Sequence, residues 1–228
     1  MGWVAVIPIR DGSKGLPGKN IKNLIGKPLY MHTVDQAIAA GAERVVITTN
    51  ISEVIHSSHD LRVTVLVRPD NLCSDSVPMV PVLAHAIKAA NIQGPVGLLQ
   101  ATSPLRSVAS IKRALSIWQN HSYEMVMSVS EADKNALKSG FLVGDEFIAL
   151  GDPEFCFSNR QALPDIYKPN GAIFIMDAQK FITFNSFVFG KIGTIKMPKI
   201  ESIDIDTASD FEVCEEILAK RGANFENR

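Results

Sequence analysis

Short apolar runs rich in β-branched residues alternate with amphipathic segments along most of this chain. The apolar runs predict strands at 3–7, 44–49, 61–67, 96–100, 125–129, 171–176 and 192–197. Between them, apolar residues at helical spacing predict helices at 27–40, 78–90, 107–119 and 207–220. Strands that alternate with helices favour an α/β fold with a doubly wound, mostly parallel sheet. Ligands bind at the carboxyl ends of the strands in such sheets, so a binding site is expected in the loops that follow strands.

The loop after the first predicted strand is dense in glycine and positive charge. Glycines let backbone N–H groups approach an anion closely, and Lys and Arg add full positive charge. The arrangement matches neither the P-loop nor the G-x-G-x-x-G dinucleotide motif. We therefore predict a triphosphate site of another kind in this loop, residues 10–20, which we call the cationic loop. Its candidate residues are Arg10, Gly12, Ser13, Lys14, Gly15, Gly18, Lys19 and Asn20.

Two carboxylates precede the last predicted helix, in the segment 203–206 (I-D-I-D), which we call the acidic segment. If this segment is a strand, Asp204 and Asp206 point to the same face. Mg²⁺ is usually held by one or two carboxylates together with substrate phosphate oxygens, so the pair is a candidate metal site. The alternative is that both acids only favour the following helix N-terminus. Thr207 and Asp210 have the spacing of a capping box, with Asp in place of Glu or Gln.

Composition limits the classes of partner. The chain has 228 residues and a net charge of −1, from 23 basic and 24 acidic residues, so no global field attracts nucleic acid or a membrane surface. The length suits a single domain spanning 1–228. Three cysteines far apart in sequence argue against a disulfide framework or a zinc site. With no basic residue before the first apolar run and no apolar run of membrane-spanning length, we expect a cytoplasmic protein.

The cationic loop resembles the N-terminal signature of a known family. Residues 10–20 read R-D-G-S-K-G-L-P-G-K-N. This is similar to R-x-G-S-K-G-[IL]-x-x-K-N of the bacterial N-acylneuraminate cytidylyltransferases, or CMP-sialic acid synthetases. Relatives that activate 3-deoxy-manno-octulosonate have Thr-Arg where Lys14 and Gly15 stand here, so the resemblance favours the sialic acid branch.

Further segments carry the same resemblance in the family's order: 68–75 (R-P-D-N-L-C-S-D), 98–106 (L-L-Q-A-T-S-P-L-R), 168–174 (K-P-N-G-A-I-F) and 202–210 (S-I-D-I-D-T-A-S-D). The family's loop that cradles the cytosine corresponds to the first of these. The resemblance therefore implies nucleotide contacts for Arg68, Ser74 and Asp75. It implies sugar contacts for Gln100, Arg160, Lys168 and Phe174, of which Lys168 and Phe174 replace the family's Arg and Tyr.

The alternation of predicted strands and helices stops between residues 130 and 168, where residues 141–150 are predicted to form a small hairpin. By resemblance this stretch is an inserted dimerisation excursion that reaches over the partner's site, which implies a homodimer. Lys138 would then contact the sugar carboxylate of the other subunit; a solvated lysine is the alternative. Phe187 and Phe189 either line a sugar pocket or pack in the core.

The resemblance implies a cytidylyltransferase of the nucleotidyltransferase, Rossmann-like fold. It would transfer CMP from CTP to the anomeric hydroxyl of a nine-carbon 2-keto sugar acid and release pyrophosphate. Asp204 and Asp206 would hold Mg²⁺, or Mn²⁺ in its place, and catalysis would rest on these two with Arg10 and Lys19. The alternatives are a sister enzyme for legionaminate, pseudaminate or a 3-deoxy-octulosonate, and a non-catalytic nucleotide-binding regulatory module.

Overall fold

The computed structural model describes residues 2–188 and 190–226, and eleven strands and six α-helices lie within those ranges. The strands are β1 (Val4–Pro8), β2 (Asn23–Leu24), β3 (Lys27–Pro28), β4 (Arg44–Thr49), β5 (Val63–Val67), β6 (Pro95–Leu99), β7 (Met125–Glu131), β8 (Gly140–Val143), β9 (Glu146–Ala149), β10 (Tyr167–Asp177) and β11 (Ile192–Lys196). The helices are α1 (Leu29–Ala39), α2 (Ser52–Ile55), α3 (Met79–Ala89), α4 (Val108–Asn120), α5 (Ala178–Phe184) and α6 (Ala208–Glu226).

Seven strands form one sheet in the order β11-β7-β10-β6-β1-β4-β5. Among the described residues of this seven-stranded sheet, only β10 runs antiparallel to its neighbours, β6 and β7. The prediction of a doubly wound, mostly parallel sheet is thus confirmed. From β1 the chain moves outward through β4 and β5, then returns to place β6 on the other side of β1. The strand order therefore reverses between β1 and β6, and open α/β sheets bind ligands at such a point.

Alternation along each strand divides the core between the two faces of the sheet. Ala5 and Ile7 pack with Ala37 of α1 in the core cluster that also contains residues of α4. Val6, between them, packs with Leu83 of α3 in a second cluster on the opposite face. Residues two apart in a strand share a face, so successive residues reach opposite faces of the sheet. Both faces are apolar, and helices cover both of them. The helices thereby hold the carboxyl ends of β1, β5 and β6 in fixed positions.

A third, smaller cluster anchors the acidic segment. Ile205 is fully buried there against Phe211 and Cys214 of α6 and Leu24 and Leu29 near the start of α1. Since Ile205 faces this cluster, the two flanking aspartates face the other way. Burial of one isoleucine, worth roughly 2 kcal/mol, thus fixes the direction of both carboxylates.

Three local predictions are corrected by the structure. The acidic segment forms no strand; the Ile205 N–H instead donates to the Thr102 carbonyl at 2.8 Å. Helix α1 begins at Leu29 rather than at residue 27, because Lys27 and Pro28 pair with β2 as a short strand. The last strand before α5 is longer than 171–176, since β10 spans Tyr167–Asp177 and includes a register shift between Pro169 and Phe174.

The small hairpin predicted at 141–150 is present as β8 and β9, which pair with each other in a sheet of their own. Apolar side chains of this hairpin are exposed in the single chain, namely Phe141, Leu142, Val143, Phe147 and Ile148. Short 3-10 helices at Lys134–Lys138 and Pro153–Phe157 flank it.

Candidate active site

A cleft of about 390 Å³ opens at the carboxyl ends of β1, β5 and β6, next to the point where the strand order reverses. The cationic loop, the loop after β5, the residues after β6 and the acidic segment all contribute to its walls. These segments are separated by many residues in sequence and are brought together by the sheet. Of the predicted site residues, the cleft is lined by Arg10, Ser13, Lys14, Gly15, Lys19, Asn20, Arg68, Ser74, Asp75, Gln100, Asp204 and Asp206.

Two glycines turn the cationic loop. Gly12 and Gly18 have φ of +75° and +66°, a left-handed conformation that other residues adopt at a cost. Gly12 shapes the loop without lining the cleft, and Gly18 precedes a 3-10 helix, Lys19–Ile21. The buried Asn20 side chain donates to the Arg10 carbonyl at 2.9 Å, which closes the loop on itself. Asn20 therefore supports the loop from inside, in addition to lining the cleft.

The loop's cations are paired with two carboxylates across the cleft. Arg10 and Lys14 both contact Asp75 of the loop after β5; the Lys14 Nζ to Asp75 Oδ2 distance is 3.3 Å. Although partial desolvation opposes it, these two cations hold the pKa of the Asp75 carboxyl below its ordinary value. The Lys19 Nζ donates to Asp206 Oδ1 at 3.0 Å and to the Ile205 carbonyl at 2.6 Å. Every one of the three cations thus has an anionic partner in the ligand-free chain.

The cationic loop and the acidic segment touch directly. A Cβ placed on Gly15 would lie 2.3 Å from the Asp206 carbonyl oxygen, so only glycine allows this approach. Together with the Lys19 contacts, this closeness puts the predicted phosphate site and the predicted metal site in one cleft. The backbone of residue 206 therefore determines which residue type fits at position 15, although residue 206 lies 191 positions later in the chain.

The two aspartates of the acidic segment differ in their surroundings. Asp206 is largely exposed, with 72% of its side chain accessible, whereas Asp204 is partly buried. Burial raises the pKa of the Asp204 carboxyl against a hydrogen bond from Thr102, and the neighbouring Asp206 carboxylate raises it further. The Asp204 Oδ1 atom is buried and has no hydrogen-bond partner among the described residues.

That donor set fits a hard divalent cation. Two adjacent carboxylates, one of them with an unpartnered buried oxygen, match the oxygen ligands of Mg²⁺, which keeps further positions for water or phosphate oxygens. Within residues 2–188 and 190–226 there is no cluster of three or more His, Cys, Asp or Glu side chains that would hold a metal alone. Any metal here would therefore need ligands from water or substrate besides Asp204 and Asp206.

Arg68 forms part of the cleft floor and is almost completely buried. Its guanidinium donates to the carbonyls of Ile9, at 2.9 Å, and Thr48, at 2.7 Å, at the ends of β1 and β4. Burial lowers the pKa of Arg68 to about 10, which leaves it protonated at neutral pH. The predicted nucleotide contact of Arg68 is therefore combined with a structural task that the sequence does not reveal, namely holding two strand ends together beneath the ligand.

Two residues of the 98–106 segment contribute to the site although their roles were not predicted. Thr102 lines the cleft and binds the acidic segment through its carbonyl. Arg106 is fully buried and donates to the Ala172 carbonyl at 2.6 Å and to the Gln100 carbonyl at 3.2 Å. Both lie in the Q-A-T-S-P-L-R run, so the run itself was the signal that would have identified them. Gln100 packs against Gly171, where a Cβ would lie 2.6 Å from its Oε1 atom.

Most of the predicted sugar-binding residues lie outside this cleft. Arg160 forms an ion pair with Asp133 at 3.5 Å and lines a separate cavity of about 500 Å³ with Lys134. Lys138 ends a 3-10 helix, and Lys168 is exposed on β10. Gln100 is the only predicted sugar residue that lines the cleft among the parts of the chain described.

The aromatic residues considered for the sugar pocket, Phe174 and Phe187, pack against the core and lie outside this cleft. Phe174 contacts Phe187 with ring centroids 5.7 Å apart, and Phe187 contacts Phe181 at 5.1 Å. Both Phe174 and Phe187 pack against the cluster under α3 and α5 and do not line the cleft. Phe189 lies outside the described residues.

Among the helices of residues 2–188 and 190–226, none is both long enough and apolar enough to span a bilayer.

Comparison with known proteins gives the following relationships. A family model described as "Cytidylyltransferase" matches residues 4–140. The N-acylneuraminate cytidylyltransferase of Streptococcus agalactiae serotype III is 31% identical over 219 residues, which make up 91% of this chain and 51% of that protein. The chain thus spans about half the length of such relatives. The CMP-N,N'-diacetyllegionaminic acid synthase of Legionella pneumophila is 32% identical over 232 residues, covering 96% of this chain and 97% of that protein.

A solved structure has the same fold. The structure of CMP:2-keto-3-deoxy-manno-octonic acid synthetase complexed with CTP superposes with a TM-score of 0.68 and 15% sequence identity. The match covers 97% of this chain and all of that one.

Proposed function

Because the chain belongs to the cytidylyltransferase family, we propose that it transfers CMP from CTP to the anomeric hydroxyl of an N-acylneuraminate and releases pyrophosphate. The observation that carries this proposal is one cleft in which a glycine-rich cationic loop touches a pair of carboxylates through Gly15 and Asp206. Phosphoryl and nucleotidyl transfer depend mainly on positioning and on neutralising charge, and these two elements supply both.

The residues of the cationic loop would bind the triphosphate. Arg10, Lys14 and Lys19 would exchange their carboxylate partners for phosphate oxygens and stabilise the charge that develops on departing pyrophosphate. Loop amides around Ser13 and Gly15 would add hydrogen bonds to the same oxygens. The new bond forms between the sugar hydroxyl oxygen and the α-phosphorus as the bond to the β-phosphate oxygen breaks. The hydroxyl proton passes to a cleft carboxylate or to water.

Asp204 and Asp206 would hold Mg²⁺, or Mn²⁺ in its place. When bound, the cation supplies charge neutralisation for the phosphate oxygens. The Asp204 Oδ1 atom supports this assignment, because it is buried with no hydrogen-bond partner among the described residues. A bound cation would give this oxygen a partner. Lys19 donates to Asp206 Oδ1, so the carboxylate that would hold the metal also contacts a cation that would bind phosphate.

Arg68, Ser74 and Asp75 would surround the nucleotide, and Gln100 would face the sugar. We propose that the remaining sugar contacts form across a homodimer, with Lys138, Arg160 and Lys168 in or beside the 130–168 excursion. The exposed apolar face of the β8–β9 hairpin supports this arrangement, because monomeric proteins rarely leave so many clustered apolar side chains in water.

A second candidate substrate is legionaminate, favoured by the relative that acts in the synthesis of CMP-N,N'-diacetyllegionaminic acid and matches over nearly its full length. Nonulosonic acids differ at ring and tail substituents, and of the described residues proposed to contact the sugar only Gln100 lines the cleft. The cleft therefore supports the nucleotide half of the reaction more strongly than the choice of acid.

The test is pyrophosphate release from CTP and Mg²⁺ with N-acetylneuraminate, N,N'-diacetyllegionaminate, pseudaminate and 3-deoxy-manno-octulosonate in parallel. We expect release with N-acetylneuraminate, and the ratio of kcat/KM values would rank the acids. A preference for another of the acids would reassign the substrate and keep the reaction. If CTP raised the melting temperature but no acid gave release, the chain would instead be a nucleotide-binding regulatory module.

A further inference from the structure

Asp75 forms ion pairs with two of the three cations of the cationic loop, Arg10 and Lys14, in the ligand-free chain. We propose that Asp75 is a specificity-determining residue that acts as an internal counter-anion for Arg10 and Lys14. A triphosphate displaces the Asp75 carboxylate from these two cations, whereas weakly charged anions do not. This inference rests on the proposed function of the same cleft and adds to it the selection of the ligand by its charge.

The geometry divides one carboxylate between two cations. Oδ1 of Asp75 accepts from the Arg10 guanidinium, while Oδ2 lies 3.3 Å from the Lys14 Nζ. Asp75 comes from the loop after β5, and both cations come from the loop after β1, so the contacts bridge the mouth of the cleft. An anion that needs both cations must therefore break both contacts.

The electrostatic balance depends on the charge of the incoming anion. Asp75 is partly exposed, with 31% of its side chain accessible, and 84% of the Lys14 side chain is accessible, so water screens the contacts and a strong competitor can replace them. Inorganic phosphate carries about two charges and gains little over the carboxylate it replaces, whereas a triphosphate carries about four and can bind all three cations at once. Asp75 also repels any anion that enters before it is displaced.

The opposite role would be preorganisation, in which Asp75 only holds Arg10 and Lys14 in place for the ligand. The two roles predict opposite results when the charge is removed. Without a counter-anion, the cations are free and anions bind more tightly. Without a positioning residue, the cations move apart and anions bind more weakly.

The experiment measures pyrophosphate and inorganic phosphate binding by titration calorimetry in wild type and Asp75→Asn. Neither probe contains cytosine, so any contact of Asp75 with the base makes no contribution. We expect Asp75→Asn to bind pyrophosphate about 5- to 10-fold more tightly than wild type, and inorganic phosphate to become a measurable ligand. Asp70→Asn is the matched control, because Asp70 lies in the same loop after β5 but outside the cleft lining, and it should bind like wild type.

Equal or weaker pyrophosphate binding by Asp75→Asn would overturn the inference. Turnover of CTP in the wild type separates this outcome from a failure of the proposed function. If wild type releases pyrophosphate from CTP while Asp75→Asn gains no affinity, only the counter-anion role is wrong. If wild type neither binds CTP nor turns it over, both proposals are wrong. Melting curves of both variants check that the fold is retained.

Discussion

At the scale of single residues, Asp204 combines a functional position with an energetic cost. Its Oδ1 atom is buried without a hydrogen-bond partner in the described part of the chain, and burial raises the pKa of the carboxyl. An unsatisfied buried polar atom costs on the order of 1 kcal/mol or more, and more when it carries charge. The protein retains this cost in the ligand-free state, as expected for a carboxylate whose partner is a bound cation.

Asp204→Asn should therefore stabilise the metal-free protein while it impairs the proposed activity. With EDTA present at neutral pH, we expect the melting temperature to rise, because the buried charge is gone, and CTP turnover with Mg²⁺ to fall at least about 100-fold. Asp206→Asn is the matched control for stability, since 72% of that side chain is exposed and its melting temperature should change little. A lower melting temperature for Asp204→Asn would contradict the assignment.

Lys19 lies between the proposed phosphate site and the proposed metal site, where it contacts Asp206. We expect Lys19→Ala to reduce kcat about 100- to 1,000-fold, because the variant lacks a charge that stabilises developing pyrophosphate. Lys22→Ala, in the same stretch of chain, removes a lysine that lies over the Phe211 ring and not in the cleft. Lys22→Ala should remain within a few-fold of wild type in steady-state assays of pyrophosphate release. Near-normal turnover by Lys19→Ala would exclude the phosphate role.

At the scale of secondary-structure elements, the start of α6 fixes the acidic segment. The Thr207 Oγ1 atom accepts from the Asp210 N–H at 3.3 Å, and Asp210 Oδ2 accepts from the N–H groups of Thr207, at 2.8 Å, and Asp206, at 3.2 Å. The predicted capping box is confirmed by these bonds. They also tie the backbone of Asp206 to the helix, so the cap positions a residue of the cleft.

This cap gives stability a defined pH dependence. Hydrogen bonds from Thr207 lower the pKa of Asp210 below its ordinary value of 3.8. A carboxyl whose pKa is lower in the folded state stabilises the fold above its unfolded-state pKa, and the contribution is lost as the pH falls through the folded-state pKa. Asp210→Asn should therefore be less stable than wild type at about pH 7, with a gap that narrows below pH 3.8.

Urea unfolding at several pH values measures this gap. Glu212→Gln, on the same helix, is the control that should show a smaller gap at neutral pH. Thr207→Ala should lower the free energy of unfolding by about 1 kcal/mol, the usual value for loss of an N-cap side chain. An Asp210→Asn gap that is the same at all pH values would mean that the charge of Asp210 does not stabilise the cap.

Periodicity was enough to predict most elements, because strands and helices bury side chains at different, regular spacings. It did not determine the conformation of the acidic segment, whose backbone is held by the Thr102 carbonyl, a contact that local sequence does not encode. The sequence also left Phe187 undecided between a sugar pocket and the core, because its contacts with Phe174 and Phe181 depend on how distant segments pack. The density of charge in the cationic loop was visible in the sequence, whereas its pairing with Asp75 depends on how the sheet folds.

At the scale of the whole molecule, the β8–β9 hairpin carries apolar side chains that the single chain leaves in water. Leu142 is 74% exposed and Phe147 is 53% exposed. The sequence indicated a hairpin here, but the residues predicted to bind sugar from this region do not reach the cleft of the same chain. The proposed homodimer accounts for both observations, because a partner would cover the hairpin and bring Lys138 to a second cleft.

Leu142→Asp should therefore weaken dimerisation and sugar use together. We expect light scattering to give the mass of one chain for the variant and of two chains for wild type at micromolar concentration, because a charge in the interface loses its hydration. The KM for the sugar should rise while CTP binding changes little. Leu61→Asp, at a fully exposed position outside the hairpin, should leave mass and kinetics unchanged. A monomeric wild type would rule out the homodimer.

The contact between Lys19 and Asp206 also has a consequence for synthesis of the chain. These residues stand 187 positions apart, so the ribosome makes the cationic loop long before it makes the carboxylate that pairs with Lys19. Only after Asp206 has been made can the chain supply the second carboxylate and the backbone that packs against Gly15. The cleft is thus completed only after most of the chain has been made.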